Sequence, residues 1–195
     1  MKKLAIIGLC MTVTGTIPSS RRLESPRYEI VELAKRKGLK IDAEGFSNLI
    51  RGLEVDNMPI IIDTRHRKGN EQKDYRFGQI PLKDSPNNLI IEVDEHIDPW
   101  SIKYFDENIS EPKIRVTKFE VGGSEYFPSD FIEYLQKIIG ENPNKNIYIL
   151  CQAGIRSSSF ALYLKRFYGI NSRSVEGGFN KLDKDILEKL TILGN

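Results

Sequence analysis

The sequence predicts an α/β fold: a mainly parallel central sheet with helices on both faces. Three features point there. Short apolar runs at residues 59–63, 89–93 and 146–150 are rich in Ile and Leu. A strand buried on both faces has that composition. Stretches of helical periodicity alternate with these runs, the pattern of strands joined by covering helices. The chain of 195 residues is 39% hydrophobic and 29% charged, which is ordinary globular usage. That length is enough to bury about two-thirds of the unfolded surface without a disulfide or zinc staple.

Residues 18–27 are polar, hold Pro18 and Pro26, and read as a linker. Residues 28–37 follow a helical pattern that stops at Gly38. Asp42 is placed to cap a second helix, with Phe46, Leu49, Ile50 and Leu53 along one side. The run 59–63 is the first core strand, and residues 66–76 form a charged loop. Residues 89–93 are a second strand, 94–112 are irregular around Pro99 and Pro112, and 113–121 alternate imperfectly as a third strand. Residues 128–139 make an amphipathic helix through Phe131, Ile132, Leu135 and Ile139, ended by Gly140. The run 146–150 is a further buried strand. Residues 156–168 form a helix that turns Phe160, Ala161, Leu164 and Phe167 inward and stops at Gly169. A short strand at 172–175 and a helix at 182–190 close the chain.

The first twenty residues have the layout of a secretory signal peptide. Lys2 and Lys3 precede an uncharged stretch from Leu4 to Ile17, and small residues follow. This reading expects a periplasmic or secreted protein; the alternative is a cytoplasmic one with a buried strand at 3–9. Removal of the segment takes Cys10 with it and leaves Cys151 as the one cysteine, so no intramolecular disulfide is expected. The organisation is then a signal peptide at 1–20, a linker and N-terminal helix at 21–39, and the main domain at 40–195.

Composition excludes several function classes. The formal net charge of +2 gives no reason to expect a nucleic-acid partner. With two histidines and two cysteines a multi-ligand metal site is not expected, and neither is a cofactor. No apolar run has the length of a stable membrane span. His66 and His96 lie in charged, irregular stretches and read as solvated loop residues. Arg67 and Lys68 read the same way, or as cations at the mouth of a pocket.

The chemistry concentrates at residues 147–158, IYILCQAGIRSS. A buried strand delivers Cys151 to the carboxyl edge of the sheet, where ligands of open α/β sheets bind. A loop containing Gly154 follows, and a helix begins near Arg156. The backbone N–H groups of residues 152–157 are expected to point at the cysteine sulfur as an anion-binding nest at a helix N-terminus. Arg156 adds a full positive charge. Each of these favours a thiolate, and a thiolate is the nucleophile.

These residues resemble the rhodanese superfamily. The loop Cys151-Gln152-Ala153-Gly154-Ile155-Arg156-Ser157 is similar to its active loop, with four residues between Cys and Arg. Asp63-Thr64-Arg65 resembles the Asp-x-Arg after the first strand, and Gly78-Gln79-Ile80-Pro81 the Gly-His-Ile-Pro segment, with Gln79 where His is usual. Glu176-Gly177-Gly178-Phe179 looks like the turn after the last strand. The resemblance runs over residues 40–190. It implies a sulfurtransferase in which Cys151 carries a persulfide and Arg156 holds a small anionic sulfur donor such as thiosulfate. Gln152, Ala153, Gly154, Ile155, Ser157 and Arg65 would contact substrate, Asp63 would support the loop together with Arg65 in a buried, orienting place, and a thiol or cyanide would accept the sulfur. Two alternatives stand beside it. Cysteine phosphatases and arsenate reductases on this fold separate Cys and Arg by five residues, a wider loop than this one. A non-catalytic redox-sensing or binding module would use the thiol without turnover.

Overall fold

The computed structural model describes residues 26–54, 57–65, 88–93, 114–121 and 124–192. Several expectations lie outside these residues: the signal peptide with Cys10, the segment with His66, Arg67, Lys68 and Gln79, and the stretch 94–112 with His96.

Seven strands form one sheet in the order β1-β7-β6-β2-β3-β4-β5. They are β1 (Lys40–Ile41), β2 (Ile60–Asp63), β3 (Asn88–Val93), β4 (Val116–Val121), β5 (Ser124–Tyr126), β6 (Ile147–Leu150) and β7 (Arg173–Val175). The pairs β1/β7, β7/β6, β6/β2 and β2/β3 are parallel, while β3/β4 and β4/β5 are antiparallel. Five α-helices stand among the described residues: α1 (Pro26–Arg36), α2 (Ala43–Arg51), α3 (Phe131–Glu141), α4 (Ile155–Tyr168) and α5 (Lys184–Ile192).

Strand alternation explains why the central runs are apolar throughout. Ile60 and Ile62 join Leu89, Ile91, Ile147 and Ile149 on one face, under Ile30 and Leu33 of α1, Leu135 of α3 and Phe160 and Leu164 of α4. Ile61 joins Ile90, Tyr148, Leu150 and Val175 on the other, under Phe46 and Ile50 of α2 and Ile186 and Leu190 of α5. Each isoleucine of β2 is fully buried, worth about 1.5–3 kcal/mol apiece. Helices therefore cover both faces, as expected.

Asp42 caps α2 by accepting from the Gly45 N–H. At its other end, Lys189 of α5 donates to the carbonyls of Ile50, Arg51 and Leu53. One cation thus gathers three carbonyls at and just past the end of α2.

Several boundaries differ from the sequence reading for local reasons. Gly140 does not end its helix: α3 continues to Glu141, and Asn142 caps it by returning its N–H to Ile138 and Ile139. Residues 128–130 form a separate 3-10 turn ahead of α3. Helix α4 begins at Ile155 because Gly154, with φ +82, is its N-cap. The last helix starts at Lys184 rather than 182, since Leu182 is extended after a 3-10 turn over Gly178–Lys181. Phe167 is only half-buried. The strand at 113–121 begins at Val116 and runs antiparallel to β3.

The chain builds β2, β3, β4 and β5 outward in one direction, then returns to lay β6 on the opposite side of β2. The order therefore reverses between β2 and β6. A crevice opens at the carboxyl ends of strands at such a reversal. Asp63 ends β2 there, and Cys151 follows β6.

Candidate active site

Cys151 is buried, at 3% exposure, immediately past β6. Its sulfur meets two backbone donors and one hydroxyl. The Gly154 N–H donates to Sγ at 3.1 Å, the Ser157 N–H at 3.4 Å, and the Ser157 hydroxyl lies 3.4 Å away. The loop folds this way because Gly154 adopts positive φ, which turns its amide back over the sulfur and leaves the first turn of α4 facing it. Of the amides of residues 152–157, those of Gly154 and Ser157 reach Sγ.

A second turn braces the first. The Phe179 N–H donates to the Cys151 carbonyl and the Asn180 N–H to the Gln152 carbonyl, both at 3.0 Å. The two turns approach so closely that only glycines fit. A Cβ on Gly178 would sit 1.9 Å from the Cys151 carbonyl oxygen, and one on Gly154 would sit 2.7 Å from the Gly177 nitrogen. Gly178, just before Phe179, and Gly154 are thus conditions for holding the cysteine loop shut.

The end of β2 closes the third side. Thr64 donates twice to the Leu150 carbonyl, from N at 2.8 Å and from Oγ1 at 3.0 Å. Arg65 returns its backbone N–H, Nε and Nη2 to the Asp63 carboxylate at 2.7–3.0 Å, and its guanidinium lies 3.8 Å over the Phe179 ring. Both members of this ion pair are buried. A charge pair so placed holds only with its hydrogen bonds complete; here it fixes Phe179, and through Phe179 the Cys151 carbonyl. Arg156, half-buried, donates from Nη1 to the Thr64 carbonyl at 3.0 Å, tying the loop to β2.

The residues expected to form one site are together, with differences in role. Cys151, Gly154 and Ser157 make the sulfur pocket. Gln152 turns its amide to Asn180 Oδ1, Ala153 is exposed and Ile155 half-buried. Asp63 pairs with Arg65. Arg65, expected among the substrate contacts, is fully buried and acts on the loop through Phe179. Sequence reasoning missed Thr64, Asn180, and the buried hydroxyls of Ser158 and Ser174. Their places depend on which strands lie side by side, and no local spacing announces that.

The fold agrees with comparison to known families. A family model described as Rhodanese-like domain matches residues 42–185. Among curated proteins and among solved structures nothing matches. The match begins at the cap of α2 and ends in α5, so it takes in β2, the cysteine loop and the Gly-Gly turn alike: the chain belongs to the rhodanese-like domain family.

Proposed function

We propose that the protein is a sulfurtransferase that moves a sulfane sulfur from thiosulfate, or a similar anionic donor, to a thiol or cyanide. The observation that carries this reading is the set of donors converging on the Cys151 sulfur from a loop with four residues between Cys151 and Arg156. In the first step the thiolate attacks the outer sulfur of thiosulfate. The donor's S–S bond breaks and sulfite leaves with the electron pair. The new terminal sulfur carries negative charge, which the loop N–H groups stabilise without reorganising. In the second step the acceptor attacks that sulfur, and the cysteine thiolate returns. Neither step needs a general acid to protonate a poor leaving group, whereas aryl-phosphate hydrolysis is helped by one.

Arg156 supplies the positive charge beside the loop. Its side chain braces Thr64 in the free enzyme and would meet an anionic donor from there. Arg156→Ala is expected to lower kcat/KM for thiosulfate by roughly ten- to a hundredfold, from loss of a charged hydrogen bond worth about 1.5–3 kcal/mol. The effect should be smaller for a neutral sulfane donor, and steady-state kinetics with both donors check it. Side-by-side assay of thiosulfate with cyanide and of an aryl phosphate tests the whole reading. Sulfur transfer without phosphate release is expected; phosphate release without sulfur transfer would replace it with a phosphatase. We further propose that residues 1–20 direct export, which a native N-terminal mass beginning at Met1 would contradict.

A further inference from the structure

A line of buried hydroxyls leads away from the nucleophile toward the edge of the sheet. Ser157 Oγ lies 3.4 Å from Cys151 Sγ and 2.8 Å from Ser174 Oγ. Ser174 Oγ lies 3.2 Å from Ser158 Oγ. Lys40 Nζ donates to Ser158 Oγ at 3.4 Å. All three serines are buried. Ser157 and Ser158 start α4 and Ser174 lies in β7, while Lys40 belongs to β1 and pairs in register with Ser174.

The donors can be ordered along this line. Ser158 Oγ donates to the Gly154 carbonyl at 2.6 Å, so its one proton is committed while its oxygen accepts from the ammonium. Ser174 Oγ can give its one proton to Ser157 Oγ at 2.8 Å, to Ser158 Oγ at 3.2 Å or to the Gly154 carbonyl at 3.4 Å. The ammonium on Ser158 Oγ and the Ser158 proton on the Gly154 carbonyl weaken the last two as acceptors, and the shortest contact, to Ser157, is favoured. The Ser157 proton in turn is left for the sulfur, where it stabilises an anion.

We infer that Lys40 is a positioning residue for Cys151: its ammonium, acting through Ser158, Ser174 and Ser157, orients hydroxyl protons toward the sulfur and favours the ionised nucleophile. The inference rests on Cys151 being the nucleophile. Burial lowers the Lys40 pKa from its ordinary value, while Glu176 beyond β7, the Cys151 sulfur and Glu32 of α1 favour the charged form and Lys35 of α1 opposes it. The Lys40 ammonium and the Cys151 sulfur are within electrostatic reach of each other.

The test is the rate at which iodoacetamide alkylates Cys151 in the folded full chain, followed across pH by mass of the Cys151 peptide. Lys40→Met should slow alkylation at neutral pH about threefold or more, and should move the pH–rate curve upward by about half a unit. Lys40→Arg should stay within about twofold of the parent, since it keeps the charge. Ser174→Ala should slow the reaction like Lys40→Met, because it breaks the line while leaving the lysine. A parent-like rate in Lys40→Met, or equal slowing in Lys40→Met and Lys40→Arg, overturns the inference. If Lys40→Met does not fold, Ser174→Ala and Lys40→Arg decide: a parent-like rate in the first or strong slowing in the second overturns it. A Cys151 that reacts no faster than free cysteine in the parent protein defeats the nucleophile itself, and that result is read before any variant is compared.

Discussion

Cys151→Ser is expected to abolish sulfur transfer from thiosulfate to cyanide, by about a thousandfold or more, while the protein stays folded. A serine hydroxyl in this position is almost wholly un-ionised at neutral pH, and oxygen cannot form the persulfide-like link that a thiolate does. The local structure has little reason to fail. The side chain is buried at the end of β6, and the Gly154 and Ser157 donors can meet an oxygen as readily as a sulfur. The stability change should stay within about 1–2 kcal/mol. Thermal unfolding and turnover on the same sample check both halves. A Cys151→Ser protein that still transfers sulfur would remove the nucleophile from the account.

Gly178→Ala should damage stability and activity together. Gly178 has φ +55, and a side chain there would run into the Cys151 carbonyl oxygen. The strain of a left-handed residue costs about 1–2 kcal/mol. Relief of the clash must push the Cys151 peptide away from the Phe179 N–H that now holds it, so the total loss is expected at about 2–4 kcal/mol. A displacement of about 1 Å in the nucleophile's backbone can cost a hundredfold in kcat/KM. Gly169→Ala is the matched control. Gly169 also has positive φ, +68, at the end of α4, but a Cβ there meets open space. It should lose about 1–2 kcal/mol of stability and keep parental activity. If Gly178→Ala kept full activity, the Gly-Gly turn would have no part in closing the loop.

The parts of this molecule that the sequence announces are those with local causes. Ile60-Ile61-Ile62 must bury both faces, and it does so between two helical layers. Gly154 and Gly169 bracket α4, and each has the positive φ that makes glycine the economical choice. The cysteine loop was legible because strand, cysteine, glycine and arginine are contiguous. What stayed hidden depends on pairing at long range. The two-residue strand β1 is too short to carry a pattern, and only its alignment with β7 puts Lys40 beside Ser174. Strand β4 carries the same apolar residues whether it runs parallel or antiparallel to β3. Gly140 looked like a stop because glycine often follows a helix, yet packing of Leu135 and Ile138 against the core carries α3 past it. Arg65 follows a strand end directly, and the resemblance places it both among the substrate contacts and in a buried, orienting position. The Asp63 carboxylate two residues before it and the Phe179 ring hold it inside.

On the function proposed above, donors from the loop hold the Cys151 sulfur so that it can take one further sulfur atom. Mass spectrometry of the intact protein after brief exposure to thiosulfate, then removal of the donor, reads this directly. A gain of one sulfur atom is expected, mapped to the Cys151 peptide, lost on addition of cyanide and absent in Cys151→Ser. A protein that gains no sulfur at Cys151, or gains it there and does not give it up to cyanide or a thiol, would contradict the account.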